Sequence, residues 1–509
     1  MSSSLSAIYS AENSLMLNQV AMNITNDNIS NEGTKGYCDQ TVNTSELTSL
    51  GEGGETGTNV NAAGSGAVID SISRNVDSYL DSYYRSQNSI SSYYSEYSNS
   101  TSTIQDAVNG LSGSGLTTDL NSFYSAADTL SSDPTDSTTR TAFVQSAENV
   151  ASDFNSISSQ LSTYRASIVG DGTDAESLSQ SAVTQNCNSL NTDLKSLASL
   201  NSTIASSSTG GVTPNNLLDQ RDQLLDDMSQ YAPLTVTQNS NNTANVSLGN
   251  VNLVNGGTQV GVLQTTLGDA SDPATVQICD SNGNAIVSNA NSLITSGKIG
   301  ADLELGGSDP NSLSINSYIN NLNTLATSFA QQVNTIQEGG QYTDNSTNPA
   351  TLSTTNMNDI FVQSPATQTA TYPLTAADIT VNQNVINDPF QVAAASATSA
   401  ANATGDGSNA LLLYQSSKTS IAGLNNQTTQ QYMDTLNGTI GTQIQNITNN
   451  ASSSSTIVSQ IATQKGTASG VNLDEELSNL IEYQNQYEAS AKVLNAVEAS
   501  LQALITAVS

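Results

Sequence analysis

The sequence predicts a mainly α protein with a β insertion: an elongated multi-domain chain with terminal coiled-coil helices, a long-helix bundle and a small antiparallel β domain. Three observations predict it. Apolar residues recur at three- and four-residue spacing over long stretches. The period drops to two after Pro233. Each end of the chain carries a single apolar stripe whose obvious partner is the other end.

The longest stripe runs Val76, Leu80, Tyr83, Ile90, Tyr94, Tyr97, Ile104, Val108 and Leu111, missing only at Gln87 and Thr101. A seam of about five heptads predicts one long helix. Others run from Ala147 to Ile168, ending at Gly170-Asp171-Gly172, from Val183 to Leu197, and from Ile315 to Ile336, ending at Gly339-Gly340. A less regular one lies around Met433, Leu436, Ile440 and Ile447. Narrow seams bury against one neighbour each, so the expected product is an elongated bundle.

After Pro233 come Leu234-Thr235-Val236, Val246-Ser247-Leu248, Val251-Asn252-Leu253, Val260-Gly261-Val262 and Val276-Gln277-Ile278, with Gly, Asn and Asp between them. This is the pattern of short antiparallel strands and hairpin turns. Asp280-Ser281-Asn282-Gly283 begins like a calcium loop, but Asn291 stands where the twelfth-position glutamate belongs, so a hairpin turn is expected. Residues 1–45 and 466–509 are assigned to an inner coiled coil. Residues 46–232, 306–340 and 391–465 go to the helical bundle, and 233–305 with 341–390 to one β-rich insertion.

Composition narrows the chemistry. The 509 residues carry a net charge of −34 and only 11 Lys and Arg. Phosphate binding needs clustered cations, so neither nucleic acid nor an anionic membrane surface is an expected partner. Histidine is absent. That removes Ser-His-Asp and Cys-His catalysis and the HExxH zinc site. Cysteines at 38, 187 and 279 are too few and too far apart for a disulfide framework or a CxxC site. Cys187 falls on an apolar stripe as a small core residue. No enzyme activity, cofactor or metal is expected. Met1–Ser14 lacks the basic and apolar regions of a cleaved signal, and no run of 18 apolar residues exists.

Single-stripe helices are marginal alone in water, so both ends are expected to order on assembly. Leu5, Ile8, Leu15, Met16, Met22 and Ile29 mark the first. Leu473, Leu477, Leu480, Tyr487, Ala491, Leu494, Leu501 and Ile505 mark the last, with Asn472 as cap and Glu475 three residues on. Periodicity alone leaves an intramolecular hairpin and subunit-to-subunit packing equally open.

Three motifs point further. Asn23-Ile24-Thr25-Asn26-Asp27-Asn28-Ile29-Ser30-Asn31, then Gly36-Tyr37 and Gln40, resembles the signature shared by flagellar rod, hook and hook-associated proteins. Ser469-Gly470-Val471-Asn472-Leu473-Asp474-Glu475-Glu476-Leu477, then Asn479-Leu480, Tyr483-Gln484 and Tyr487, resembles the same superfamily. Pro214 to Leu224, with Asn216, Leu217, Leu218, Asp219, Arg221 and Asp222, resembles a motif of the flagellar hook-associated protein 1 family. Two departures stand out: Asp39 occupies a place where the family usually has a basic residue, and Phe361–Ala377 leaves no room for a further inserted domain.

The resemblance implies a secreted structural subunit that leaves by type III export and forms a ring at the hook tip. It implies that the ring is the hook–filament junction needed for flagellum assembly and motility. The implied partners are further copies of the chain, the hook protein, the second hook-associated junction protein and a cytosolic export chaperone. The implied assembly interface is Leu15, Met22, Asn26, Asn28, Ile29, Gly36 and Tyr37 at one end. At the other it is Leu473, Leu477, Leu480, Tyr487, Leu494 and Leu501. The rivals are another axial protein, of flagellin or hook type, and a secreted adhesin with a helical stalk. Asp219, Arg221 and Asp222 are expected to form local salt bridges at a helix end, each worth ~0.2–1 kcal/mol if exposed.

Overall fold

The structure, a computed structural model, describes residues 2–46, 66–109, 115–208, 213–269, 271–308, 314–355, 357–364, 370–372 and 374–508. Leu111, at the end of the longest stripe, lies outside them.

Helix α1 (Ser2–Asn31) leads into a hairpin of β1 (Gln40–Glu46) and β2 (Ala67–Arg74), paired from Gln40↔Arg74 to Glu46↔Ala67. Then come α2 (Ser78–Asn109), α3 (Leu116–Ser132), α4 (Ser137–Val169), α5 (Ala175–Gln180), α6 (Ala182–Ser207) and α7 (Asn215–Met228). The hairpin was not foreseen. Its strands alternate weakly because Thr, Asn and Ser fill both faces of β1, most of them exposed.

Strands β3 (Leu234–Gln238), β4 (Ala244–Leu248), β5 (Val251–Asn255) and β6 (Thr258–Gln259) form one antiparallel sheet. Strands β7 (Val262–Leu267), β8 (Ala274–Cys279) and β9 (Ala285–Val287) form another. Asp280 turns the β8–β9 hairpin: its Oδ1 accepts from Asn282 N and Asn284 N at 2.9 and 2.8 Å, and Gly283 takes φ +84°. Helices α8 (Gly297–Gly306) and α9 (Ile315–Glu338) follow. The next strands are β10 (Gly340–Asp344), β11 (Thr351–Ser353), β12 (Phe361–Gln363) and β13 (Ile379–Val381). The chain closes with α10 (Gln383–Asn387), β14 (Ala395–Ser396), α11 (Ser408–Ser416), α12 (Thr429–Ser469) and α13 (Leu473–Val508).

The two β-rich stretches do not share a sheet. Strands β10, β11 and β14 pair among themselves, as do β12 and β13, apart from β3–β9. The second stretch lies instead against α4 and α9. Alternation marks a strand but not its partner, which is why one insertion was expected.

Five of the six phenylalanines meet in one cluster. Phe123 of α3, Phe143 and Phe154 of α4, Phe329 of α9 and Phe361 of β12 have neighbouring ring centroids 5.0–6.4 Å apart. All five are fully buried. Ring pairs of this kind add ~0.5–1.5 kcal/mol beyond the area they bury. The sixth, Phe390, lies 4.8 Å under the Arg140 guanidinium, which donates to the carbonyls of Pro134, Pro389 and Val392.

Asparagines on helices stand in for absent strands. Asn191 Nδ2 donates to Leu263 O at 2.7 Å while Leu263 N donates back to its Oδ1 at 2.9 Å. Asn201 does the same with Ala244, and Asn334 with Phe361. A carboxamide offers one donor and one acceptor in a plane, as a backbone peptide does. Leu263 and Phe361 lie on the edge strands β7 and β12 and Ala244 at the end of the central strand β4, so these bonds fasten the sheets to α6 and α9.

Helix α12 runs along α2, and α13 runs along α1. Thr428 and Gln431 form a complete capping box at the start of α12.

Candidate functional site

The joint where α1, the hairpin, α7 and the α12–α13 break converge holds Asn28, Gly36, Tyr37 and the α7 motif singled out in the sequence. On α7, Asp219, Asp222 and Asp226 are spaced three and four residues apart, so they share one helix face. Cations from three other elements meet that face. Arg74 at the end of β2 reaches Asp219 Oδ1 at 2.7 Å and Asp222 Oδ2 at 2.8 Å. Arg85 of α2 donates from Nε to Asp226 Oδ1 at 2.7 Å. Lys465 of α12 bridges Asp226 at 2.6 Å and Asp81 of α2 at 2.7 Å. Arg221 folds back on its neighbour, with Nη2 2.7 Å from Asp222 Oδ1, and donates from Nη1 to Asn242 O.

The expectation of local salt bridges at a helix end is therefore corrected for this motif. Asp219, Arg221 and Asp222 are all buried, and two of their bridges span about 145 residues of sequence. Four of the chain's 11 basic residues are committed here. Burial pushes the Asp222 carboxyl up, but the guanidiniums of Arg221, Arg74 and Arg85 outweigh it and hold the group below the usual range. Burial wins at Asp219 and Asp226, which titrate above it despite their partners. Removing one member of such a buried pair costs ~3–5 kcal/mol, because it strands a charge away from water.

The network also corrects the seam on α2. Between Asp81 and Ser89 the buried positions are Asp81, Arg85 and Ser89, whereas Tyr79 is 71 % and Tyr83 39 % exposed. Charged residues occupy the inward face in this half of the helix, so an apolar pattern locates it one position off. The apolar seam resumes at Tyr97 and Ile104, both buried.

The second half of the joint is the turn after α1. Asn28 is buried and spends its whole carboxamide there. Its Nδ2 donates to Asp39 Oδ1 at 2.6 Å and to Gln40 O at 2.9 Å; its Oδ1 accepts from Tyr37 Oη at 2.8 Å and Gln40 N at 3.1 Å. Gly36 sits at φ +84°, with Gln223 Oε1 of α7 only 3.0 Å from where a Cβ would stand. Both the backbone conformation and the close approach call for glycine. Asn215 of α7 donates to Gln40 Oε1 at 2.8 Å and Ile72 O at 3.2 Å. Asp39 N donates to Ser469 O at 2.8 Å, joining the turn to the last residue of α12. A cleft of about 260 Å³ lies beside it, lined in part by Lys35, Tyr37, Tyr84 and Lys465.

From this joint α1 and α13 extend as a pair. Asn472 Oδ1 accepts from Asp474 N at 3.2 Å at the start of α13. The side chains fully buried on α1 are small or polar: Ala11, Asn18, Ala21, Thr25 and Asn28. Leu15, Met22, Ile29, Leu480, Leu494 and Leu501 are half-buried, and Asn26 is exposed. Met16, Leu473, Leu477, Ile481, Tyr487, Val493 and Ile505 stand in water, from 37 % to 62 % exposed. Part of the pair's apolar surface thus stays in water, and exposed apolar surface of this kind marks an interaction surface. Of the motif on α7, Asn216 is exposed, Leu217 half-buried and Leu218 buried.

The comparisons with known proteins agree with this architecture. Residues 101–350 match the family described as flagellar hook-associated protein FlgK helical domain. Residues 467–507 match the flagellar basal body rod FlgEFG protein C-terminal family. The chain is 30 % identical over 132 residues to flagellar hook-associated protein 1 of Escherichia coli (strain K12), covering 26 % of this chain and 23 % of that protein. It is 36 % identical over 106 residues to that of Salmonella typhimurium (strain LT2), covering 20 % and 19 %. The aligned stretches thus span about a quarter or less of those relatives' lengths. The fold resembles the flagellar hook junction protein FlgK from Burkholderia pseudomallei, with a TM-score of 0.57 and 17 % identity, over 75 % of this chain and 99 % of that one.

A helical body carried on paired terminal helices, with this C-terminal segment, defines a flagellar axial protein. Within that class the helical body, residues 101–350, matches the flagellar hook-associated protein helical-domain family, and the relatives aligned above are flagellar hook-associated protein 1.

Proposed function

We propose that the chain is a structural, non-enzymatic subunit of the bacterial flagellum, an adapter at the hook–filament junction on which the filament is assembled. One observation carries it: the α1–α13 pair leaves Met16, Leu473, Leu477, Ile481, Tyr487, Val493 and Ile505 in water on a chain whose helical body matches the hook-associated family. Those side chains become buried when copies pack side by side, so ordering and assembly are one step. Leu15, Met22, Ile29, Leu473, Leu477, Leu480, Tyr487, Leu494 and Leu501 make the contact, with Asn26 at its polar edge. Asn28, Gly36 and Tyr37 set the angle at which the pair leaves the bundle. The partners are further copies of the chain, the hook protein and the second junction protein, and an export chaperone covers α13 before secretion. The terminal pair, the bundle and the β insertions act as an inner tube and its outer layers.

A strain lacking the gene tests this. Hooks without filaments, with unpolymerised flagellin in the medium, are the expected outcome. Normal filaments on the hooks would overturn it and favour a redundant axial role or an adhesin.

A further inference from the structure

The joint buries a carboxyl group with no cation beside it among the described residues. Glu476 in the first turn of α13 is only 6 % exposed, and its Oε2 has no hydrogen-bond partner. No cation pairs with it among the described residues. The groups facing it are acidic too: Glu475 beside it and Asp39 in the turn after α1. Asp39 is held in place by Asn28 Nδ2 at 2.6 Å and by its own N–H to Ser469 O. A carboxylate therefore faces a buried carboxylate across the contact that links the turn after α1 to the α12–α13 break.

We propose that Asp39 and Glu476 make this joint a pH-sensitive latch, which holds the terminal helices on the bundle in mild acid and loosens as the solution becomes neutral. Burial, then the charges of Glu476 and Glu475, raise the Asp39 carboxyl from 3.8 to about 6. A raised carboxyl binds its proton more tightly in the docked state. Docking is therefore strongest below the ordinary value near 3.8, weakens as pH rises, and levels off beyond about 6. The remaining charged groups around the joint do not take over this role. Asp219 and Asp222 face Arg74, Asp226 is paired with Arg85 and Lys465, and Asp27 and Lys35 are exposed to water. Tyr37 and Cys38 are pushed up to about 12, and the Tyr483 hydroxyl is raised as well, chiefly by burial.

Amide hydrogen exchange on the full chain at pH 4.5 and 7, corrected for intrinsic rates, reads the latch directly. Protection of residues 37–40 and 473–480 is expected to fall about tenfold at pH 7 relative to α4, a figure discounted for the water that reaches Asp39. Asp39→Asn keeps the Asn28 bond and abolishes the step; Asp39→Lys gives Glu476 a partner and raises protection at pH 7. Equal protection at both pH values in the natural chain, or an unchanged step in Asp39→Asn, would overturn the proposal. Neither result depends on the junction role.

Discussion

At the scale of single residues, burial decides the worth of a charge. Asp222 touches Arg74 and Arg221 in a site nearly closed to water. Asp222→Ala is expected to lose ~3–5 kcal/mol in chemical denaturation, since it strands the buried Arg221 guanidinium and takes from Arg74 one of its two carboxylates. Glu488, 3.9 Å from Lys492 on open helix surface, is the contrast: Glu488→Ala is expected to change stability by less than ~0.5 kcal/mol. Asp302 of α8 shows the opposite sign of pH dependence from an ordinary paired carboxylate. It is 1 % exposed, with Asn186 Nδ2 at 2.7 Å. Burial lifts it to about 8, against that hydrogen bond and with help from Glu96. Its contribution is complete at low pH, declines as pH rises and is lost past about 8. Denaturation midpoints between pH 5 and 9 are expected to fall for the natural chain and to flatten for Asp302→Asn.

At the scale of elements, two kinds of helix are present. Helix α6 buries Val183, Cys187, Leu190, Leu194 and Leu197 completely, and Leu190→Ala is expected to cost ~2–5 kcal/mol in the isolated chain. Helix α13 leaves Leu477 about half exposed. Leu477→Ala is expected to cost under ~1 kcal/mol in the same measurement while reducing co-sedimentation of assembled copies. A loss of stability at Leu477 as large as at Leu190 would mean that α13 belongs to the monomer core. The seams behind most bundle helices were legible because each buries an apolar stripe. The β1–β2 hairpin was not, since most of β1 is polar and its pairing joins segments as distant as Gln40 and Arg74.

At the scale of the molecule, the terminal pair hangs on the joint, while the bundle has its own aromatic core. Removal of Leu473–Val508 is expected to leave the main thermal transition within a few degrees of its original value, while α1 loses amide protection. Loss of the main transition instead would make the termini part of one cooperative unit.

The sequence by itself determined the helix-rich class, the strands after Pro233, the single apolar stripe on each terminal helix and the family resemblance, because periodicity and motif spacing are local. Only the tertiary structure decided that Asp219, Arg221 and Asp222 are buried in an ion network. It also decided that α2 turns a charged stripe inward and that the two β stretches lie in separate sheets. Those outcomes depend on which distant segment supplies the opposite charge or the neighbouring strand. A carboxylate written in a sequence looks the same whether water or a guanidinium from 145 residues away will face it.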